Sequence, residues 1–284
     1  MIAQTRKQTN VSTWIGQHRV LAYFILTLAI SWSIELPLVA SAQGWITTPI
    51  PFAIHYLASL GPLLAALVMT WATGGADGLK ELWGRITRWR VGSIGAIVAF
   101  LSPVALFVLA AVAVWMLSGG EWPNLQRLTE INYLPNLGIG ALILWLATFG
   151  FGEEIGWRGY ALPRLQRDHS ALSATLILGV MWVVWHVPAF FYLDTYMSLG
   201  LAAFPMFALG VLTGAIVLTW LYNTTGGSVL MVAIWHGVFD FLSASKASDG
   251  YIAALMSAVI MIWAVVIVIV YKPANLSRHA KHTL

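Results

Sequence analysis

LGIGALILWLATFGFGEEIGWRGYALPRLQ, residues 137–166, begins as a run apolar enough to lie in a lipid bilayer and then places two adjacent carboxylates, Glu153 and Glu154, directly after it. A charged side chain at the bilayer centre costs at least about 2.5 to 3.5 kcal/mol on insertion scales. Acids at such a depth therefore face a protein interior and have work to do there. Arg158 follows Glu154 by four positions, one helical turn, with the acid on the N-terminal side, the better orientation for an ion pair. Glu153 is rotated by about 100° on the same helix and is free for another task.

The rest of the chain supports a membrane setting. Of its 284 residues 59% are hydrophobic and 9% charged, against roughly 25% charged in an average soluble domain. A membrane-crossing helix needs about 20 mostly apolar residues. Stretches of that kind fall at 20–41, 50–73, 91–117, 137–157, 170–192, 200–222, 227–245 and 251–271. They leave no room for a separate soluble domain, so residues 1–284 read as one integral membrane domain. Each span must be helical, because an unpaired backbone amide in hydrocarbon costs several kcal/mol and no strand alternation suggests a barrel. The expected fold is all-α and polytopic, with about eight transmembrane helices. The first span follows a polar leader with Arg6, Lys7 and Arg19 and lacks a small-x-small cleavage site, so it reads as a retained anchor.

The net charge of +4 is sorted by membrane side. With the N-terminus inside, the inner segments hold Arg6, Lys7, Arg19, Lys80, Arg85, Arg88, Arg90, Arg158, Arg164, Arg167, Lys272, Arg278 and Lys281. The outer loops hold only Arg127 and Lys246. This asymmetry predicts cytoplasmic termini on both ends. The basic surplus thus reports topology, and no nucleic-acid partner is expected. The chain has no cysteine, which excludes disulfides, thiolate metal sites and thiol nucleophiles.

The sizeable polar loops are expected at 74–90, basic and inside, and at 118–136, outside. Trp14, Trp45, Trp83, Trp89, Trp122 and Trp157 fall near span ends, where indoles settle at the membrane interface. Glu35 and His55 fall near outer span ends, where solvation is the default, and Asp168 and His169 read as turn residues.

Three polar clusters remain: Glu153, Glu154 and Arg158; His186; and His236 with Asp240. If spans four and five form a hairpin turning near 168–170, Glu153 and His186 stand almost equidistant from the turn and close enough to share a water. His236 and Asp240, four apart, project from one helix face, and the acid can orient or charge the imidazole. Gly237, with Gly210 and Gly214 in the preceding span, offers small surfaces for close helix approach. A carboxylate and a neutral histidine sharing a water can act as general base, and a second histidine with a polar partner can donate to a developing oxyanion. That is equipment for hydrolysing an amide.

These residues resemble the CPBP family of intramembrane proteases, which contains the type II CAAX prenyl endopeptidases and many bacterial proteins with abortive-infection or bacteriocin-immunity roles. The family's EExxxR is matched by Glu153, Glu154 and Arg158, its FxxxH by Trp182 and His186, and its HxxxN or HxxxD by His236 and Asp240. The resemblance covers about 137–245 and implies an eight-helix fold with its catalytic core there. It further implies that Glu153 with His186 activates water, that His236 with Asp240 stabilises the oxyanion, and that Glu154 and Arg158 support the site. The substrate it implies is a peptide or protein, C-terminal or membrane-associated, and its form points to a bacterial cytoplasmic membrane. Trp182 stands where the family usually has Phe, and Asp240 where eukaryotic members have Asn. An ionised aspartate cannot donate to an oxyanion, so Asp240 is protonated, orients His236, or binds a cation.

A divalent metal such as zinc has matching ligand types in Glu153, His186, His236 and Asp240. HExxH is absent, however, and glutamate-activated water is the preferred reading. Two other functions use the same residues: a non-catalytic membrane scaffold or immunity protein, and a proton-coupled transporter. Transport would be favoured by inverted repeats or paired broken helices, and the sequence displays neither.

Overall fold

The computed structural model describes Trp14 and residues 16–117, 122–131 and 134–284. Arg6 and Lys7 of the leader, and residues 118–121, 132 and 133 of the expected outer loop, lie outside the described residues. In chain order the helices are α1 Arg19–Ala42, α2 Phe52–Ile86, α3 Ser93–Leu117, α4 Ile139–Asp168, α5 Ala171–Phe191, α6 Leu201–Thr224, α7 Val229–Ala244 and α8 Ile252–Asn275. All but α7 are long and apolar enough to cross a membrane. The chain is an all-α, multi-pass integral membrane protein.

Helix α7 has 16 residues, which gives it a length of about 24 Å, short of the ~30 Å of hydrocarbon in a bilayer. It is enclosed instead. Val229, Val232, Ala233, Trp235, His236 and Gly237 are all buried, and Trp235 Nε1 donates to Ser102 Oγ of α3 at 2.8 Å. A helix whose ends meet protein need not span the hydrocarbon by itself. Lipid-facing apolar surface lies on the outer helices, as at Ile94, Leu101 and Leu109 of α3 and Ile262 and Ile269 of α8.

The turn into α7 is written locally. Gly226 and Gly227 take φ of 63° and 84°, a left-handed region that costs glycine nothing, and the Ser228 side chain then caps the helix by accepting from the Met231 N–H at 3.2 Å. Among the small residues named above, Gly237 packs as expected: a Cβ there would lie 3.1 Å from Leu146 Cα of α4. Gly214 has open space around it and Gly210 only the tip of Met261 nearby, so neither brings helices together.

The stretch 74–90 departs from the expected loop. It is helical to Ile86, interrupted at Gly75, whose φ of 58° and ψ of −149° break the ladder. Its charges had suggested a loop, but one of them is buried. Arg85 forks onto Glu81 at 2.7 and 2.9 Å, donates to Tyr222 Oη at 3.2 Å and reaches the Gly159 carbonyl at 2.6 Å. Gly159 lies four residues before Pro163, which has no N–H to give that carbonyl. Arg85 supplies the missing donor and so ties α2, α4 and α6 at one end of the bundle. Replacing it with Leu orphans the carbonyl and the phenol, each worth about 1–3 kcal/mol when buried. Arg85→Leu is expected to lower the thermal midpoint in detergent, and an unchanged midpoint would contradict this account.

The α4–α5 hairpin turns where the sequence suggested. Ser170 caps α5 by accepting from Ser173 N–H at 3.1 Å, and Asp168 pairs with its neighbour Arg167 in the exposed turn. Helix α4 is not uniform, however. Residues Leu146–Glu153 and Trp157–Ala161 are π-helical, with a single α turn, Glu154–Gly156, between them. The constant 3.6-residue period therefore fails in the segment that carries the acids. Close packing accompanies the widening: a Cβ at Gly150 would stand 2.6 Å from the Ala233 carbonyl of α7, and one at Gly152 would stand 2.9 Å from the Ser59 carbonyl of α2.

Candidate active site

The two carboxylates diverge from the α turn at 154–156. Glu153, 2% exposed, turns toward α5, where its Oε2 accepts from Trp182 Nε1 at 2.7 Å and from Trp157 Nε1 of its own helix at 3.3 Å. Its Oε1 receives no donor from the described residues. Glu154, fully buried, turns toward α7. It accepts from Arg158 Nη1 at 2.8 and 3.1 Å, as the four-residue spacing predicts. Its Oε1 also lies 2.9 Å from His236 Nδ1, an ionic contact that falls short of hydrogen-bond alignment.

His236 is thus bracketed. Asp240 Oδ2 lies 3.1 Å from Nε2 on the opposite edge of the ring. Both ring nitrogens face carboxylate oxygens, so the triplet must carry a proton at each contact, on the imidazole or on an acid. Of the three open roles for Asp240, this geometry corresponds to orienting His236. Glu154 is buried, whereas the Asp240 side chain is 31% exposed, so of the two acids Asp240 is the less enclosed.

Helix α5 keeps its α-helical hydrogen bonding to Trp185, and Pro188 closes it, leaving His186 as the cap, partly exposed. His186 Nδ1 lies 2.8 Å from the Trp182 carbonyl, an acceptor only, so Nδ1 carries the proton and Nε2 the lone pair in the neutral ring. Glu153 and His186 do not bond directly. Trp182 stands between them, its indole N–H on the acid and its carbonyl on the imidazole. The same indole lies 4.8 Å below the Arg158 guanidinium and meets the His236 ring edge-on at 5.2 Å. Every residue of the three sequence clusters therefore touches Trp182, or touches a residue that does.

Two features escaped the sequence. Trp157, read as an interfacial indole, is fully buried and serves Glu153, and the signal for it was its position four residues after an intramembrane acid. Trp14, Trp45, Trp83, Trp89 and Trp122 are exposed, as interfacial indoles are. Glu35 and His55 also differ from the expected solvated positions. Glu35 is 2% exposed and accepts from Tyr192 Oη at 3.0 Å, and the same hydroxyl lies 2.6 Å from His55 Nδ1.

The donor set was compared with the needs of a divalent metal. Among the described residues no three of His, Asp and Glu are arranged to hold one ion. His236 would have to give up a carboxylate on either nitrogen to become a ligand, and Glu153 already accepts two indole N–H groups on one oxygen. As placed, His236 is committed to its two acids, while Glu153 Oε1 accepts from no donor among the described residues.

A family model described as type II CAAX prenyl endopeptidase Rce1-like matches residues 134–242, the segment that contains all three clusters. Over this segment the chain is similar to the CAAX-protease-like family. One curated relative, CAAX prenyl protease 2 of Methanococcus maripaludis, is 33% identical over 99 residues, which is 34% of this chain. The chain spans about a third of that relative's length, 35%. Within the CAAX-protease-like family's FxxxH pattern, Trp182 adds something phenylalanine lacks, an N–H that reaches the candidate base.

Proposed function

We propose that this protein is an intramembrane endopeptidase in which Glu153 and His186 activate water against a peptide bond. The observation that carries the reading is the state of Glu153: a carboxylate buried in a membrane-crossing helix, with one oxygen held by two indoles and the other given no donor among the described residues. Glu154, by contrast, is paired on both oxygens.

In the proposed reaction Glu153 Oε1 takes a proton from water, and His186 Nε2 accepts the other hydrogen bond and aims the oxygen. The hydroxide adds to the substrate carbonyl. His236, charged and released by Asp240, donates to the resulting oxyanion, and Glu154 with Arg158 holds the imidazole from behind. The proton on Glu153 passes to the leaving amine as the C–N bond breaks, which returns the carboxylate to its starting form.

The single domain 1–284, its catalytic core at about 137–245, the two cytoplasmic termini and a bacterial cytoplasmic membrane belong to the same reading. So does the substrate, a membrane-associated peptide cut near its C-terminus. The name of the archaeal relative supports a CAAX-type tail. The test is reconstitution in liposomes with two fluorogenic peptides, one ending in a prenylated Cys-aliphatic-aliphatic-X tail and one without the prenyl group. Cleavage-site proteomics of wild type against a Glu153 variant runs in parallel, and a chelator arm tests for a metal. Cleavage that depends on Glu153 and survives chelation is expected; loss on chelation would replace glutamate-activated water by a metal mechanism.

Trp182→Phe separates this chain from the family pattern. It removes the shorter of two hydrogen bonds to a charged group, worth about 1.5–3 kcal/mol, so kcat is expected to fall about 10- to 100-fold. Wild-type kcat in this variant would show that the indole N–H is dispensable.

A further inference from the structure

Helix α1 holds the segment that carries His186 at three points. Trp32 Nε1 donates to the Trp185 carbonyl at 3.2 Å, Gln43 Nε2 donates to the Phe191 carbonyl at 2.8 Å, and Glu35 accepts from Tyr192. Positions 32, 35 and 43 lie on one face of a helix, so the grip is continuous. Tyr192 is its centre. It is 5% exposed, and its hydroxyl proton goes to Glu35, so His55 Nδ1 is the donor in the 2.6 Å contact with the same oxygen.

His55 carries the link onward to α4. Its ring lies 5.9 Å from Phe149, and the ring of Tyr56 lies 5.7 Å from the same side chain. Phe149 stands four residues before Glu153 in the widened stretch, and the Ser59 carbonyl presses on Gly152. Glu35 Oε2 is buried with no donor among the described residues, a cost that a glutamate kept only to fill space would impose for nothing.

We propose that Glu35, acting through Tyr192 and His55, is a positioning residue that sets His186 in register with Glu153. The proposal rests on the reading of those two as the hydrolytic pair. Glu35 and His55 lie outside the family-matched segment, and Tyr192 lies within it but outside its three motifs. The front of the chain thus contributes to the geometry of the core.

The test uses full-length protein in liposomes with the two peptides above, and Glu35→Ala, Glu35→Gln, Tyr192→Phe and, as a control, exposed Leu36→Ala. A misplacement of about 1 Å costs on the order of 100-fold in rate. Glu35→Ala and Tyr192→Phe are expected to lose that much in kcat with KM nearly unchanged. Glu35→Gln, whose amide oxygen still accepts from Tyr192, should recover part of the loss. Amide exchange across 185–192 should quicken in Glu35→Ala and Tyr192→Phe, a readout that needs no substrate. Tyr192→Phe removes one atom and keeps the ring, so it tests the link even if Glu35→Ala fails to fold. Wild-type kcat or wild-type exchange in Tyr192→Phe would overturn the proposal. If Glu153→Gln is meanwhile inactive, the hydrolase reading stands without it; if Glu153→Gln is active, that reading is what has failed.

Discussion

Glu153→Gln is expected to abolish peptide cleavage while leaving the protein as stable as wild type. Glutamine has the same shape, and its amide oxygen can accept from Trp182 and Trp157, so the packing around α4 is preserved. What it lacks is the ability to take a proton from water and return it to the leaving amine. General acid–base groups contribute about 10²–10⁴ in rate, and a loss of that size is predicted in kcat. His186→Ala should lose activity to a similar degree. The decisive comparison sets turnover of the fluorogenic peptides beside the thermal midpoint of the same preparation. A scaffold protein would show the opposite pattern, since removing a structural acid lowers the midpoint and there is no turnover to lose. Wild-type-like cleavage by either variant would end the endopeptidase reading.

Arg158→Ala is expected to produce the largest loss of stability. The guanidinium is fully buried, and its Nη1 alone serves both oxygens of an equally buried carboxylate. Removing one partner of a buried pair costs about 3–5 kcal/mol, because the other charge remains in a medium that cannot solvate it. Nε and Nη2 find no acceptor among the described residues, and the guanidinium stacks over Trp182 instead. The double variant Glu154→Gln, Arg158→Met should therefore unfold at a higher temperature than Arg158→Ala, since it leaves no unpaired charge. Equal midpoints for wild type and Arg158→Ala would show that the buried pair adds nothing to stability.

The spans were legible because hydrocarbon demands length and apolarity of any helix that crosses it, and those are properties of composition. The polar clusters of the candidate site were legible because intramembrane acids and histidines are rare and their four-residue spacings survive folding. The Glu154–Arg158 and His236–Asp240 pairs are both of this kind. What failed involved partners remote in sequence or changes of helical pitch. Glu35 looked like an interfacial acid because the tyrosine that satisfies it lies 157 positions away. The stretch 74–90 looked like a loop because a charge buried against Gly159 and Tyr222 looks, in sequence, like a charge in water. Glu153 and His186 were expected to be joined through a water, and the structure adds a second connection, Trp182, which bonds to both. No rule of spacing reveals that an aromatic position in a motif also donates a hydrogen bond.

The two widened stretches of α4 bear on how this site tolerates change in the length of its gene. A π turn takes in one residue more than an α turn, so the helix holds slack that a single-codon deletion can draw out. Loss of Gly150 or Phe151 would let the widened stretch close to an α turn while the residues that follow keep their facing, so Glu153 could still meet its two indoles and Glu154 its histidine. Helix α7 is regular and has no such residue to spare. A deletion between His236 and Asp240 would turn the aspartate off the imidazole, so the same one-codon loss that α4 can absorb would undo the site from α7.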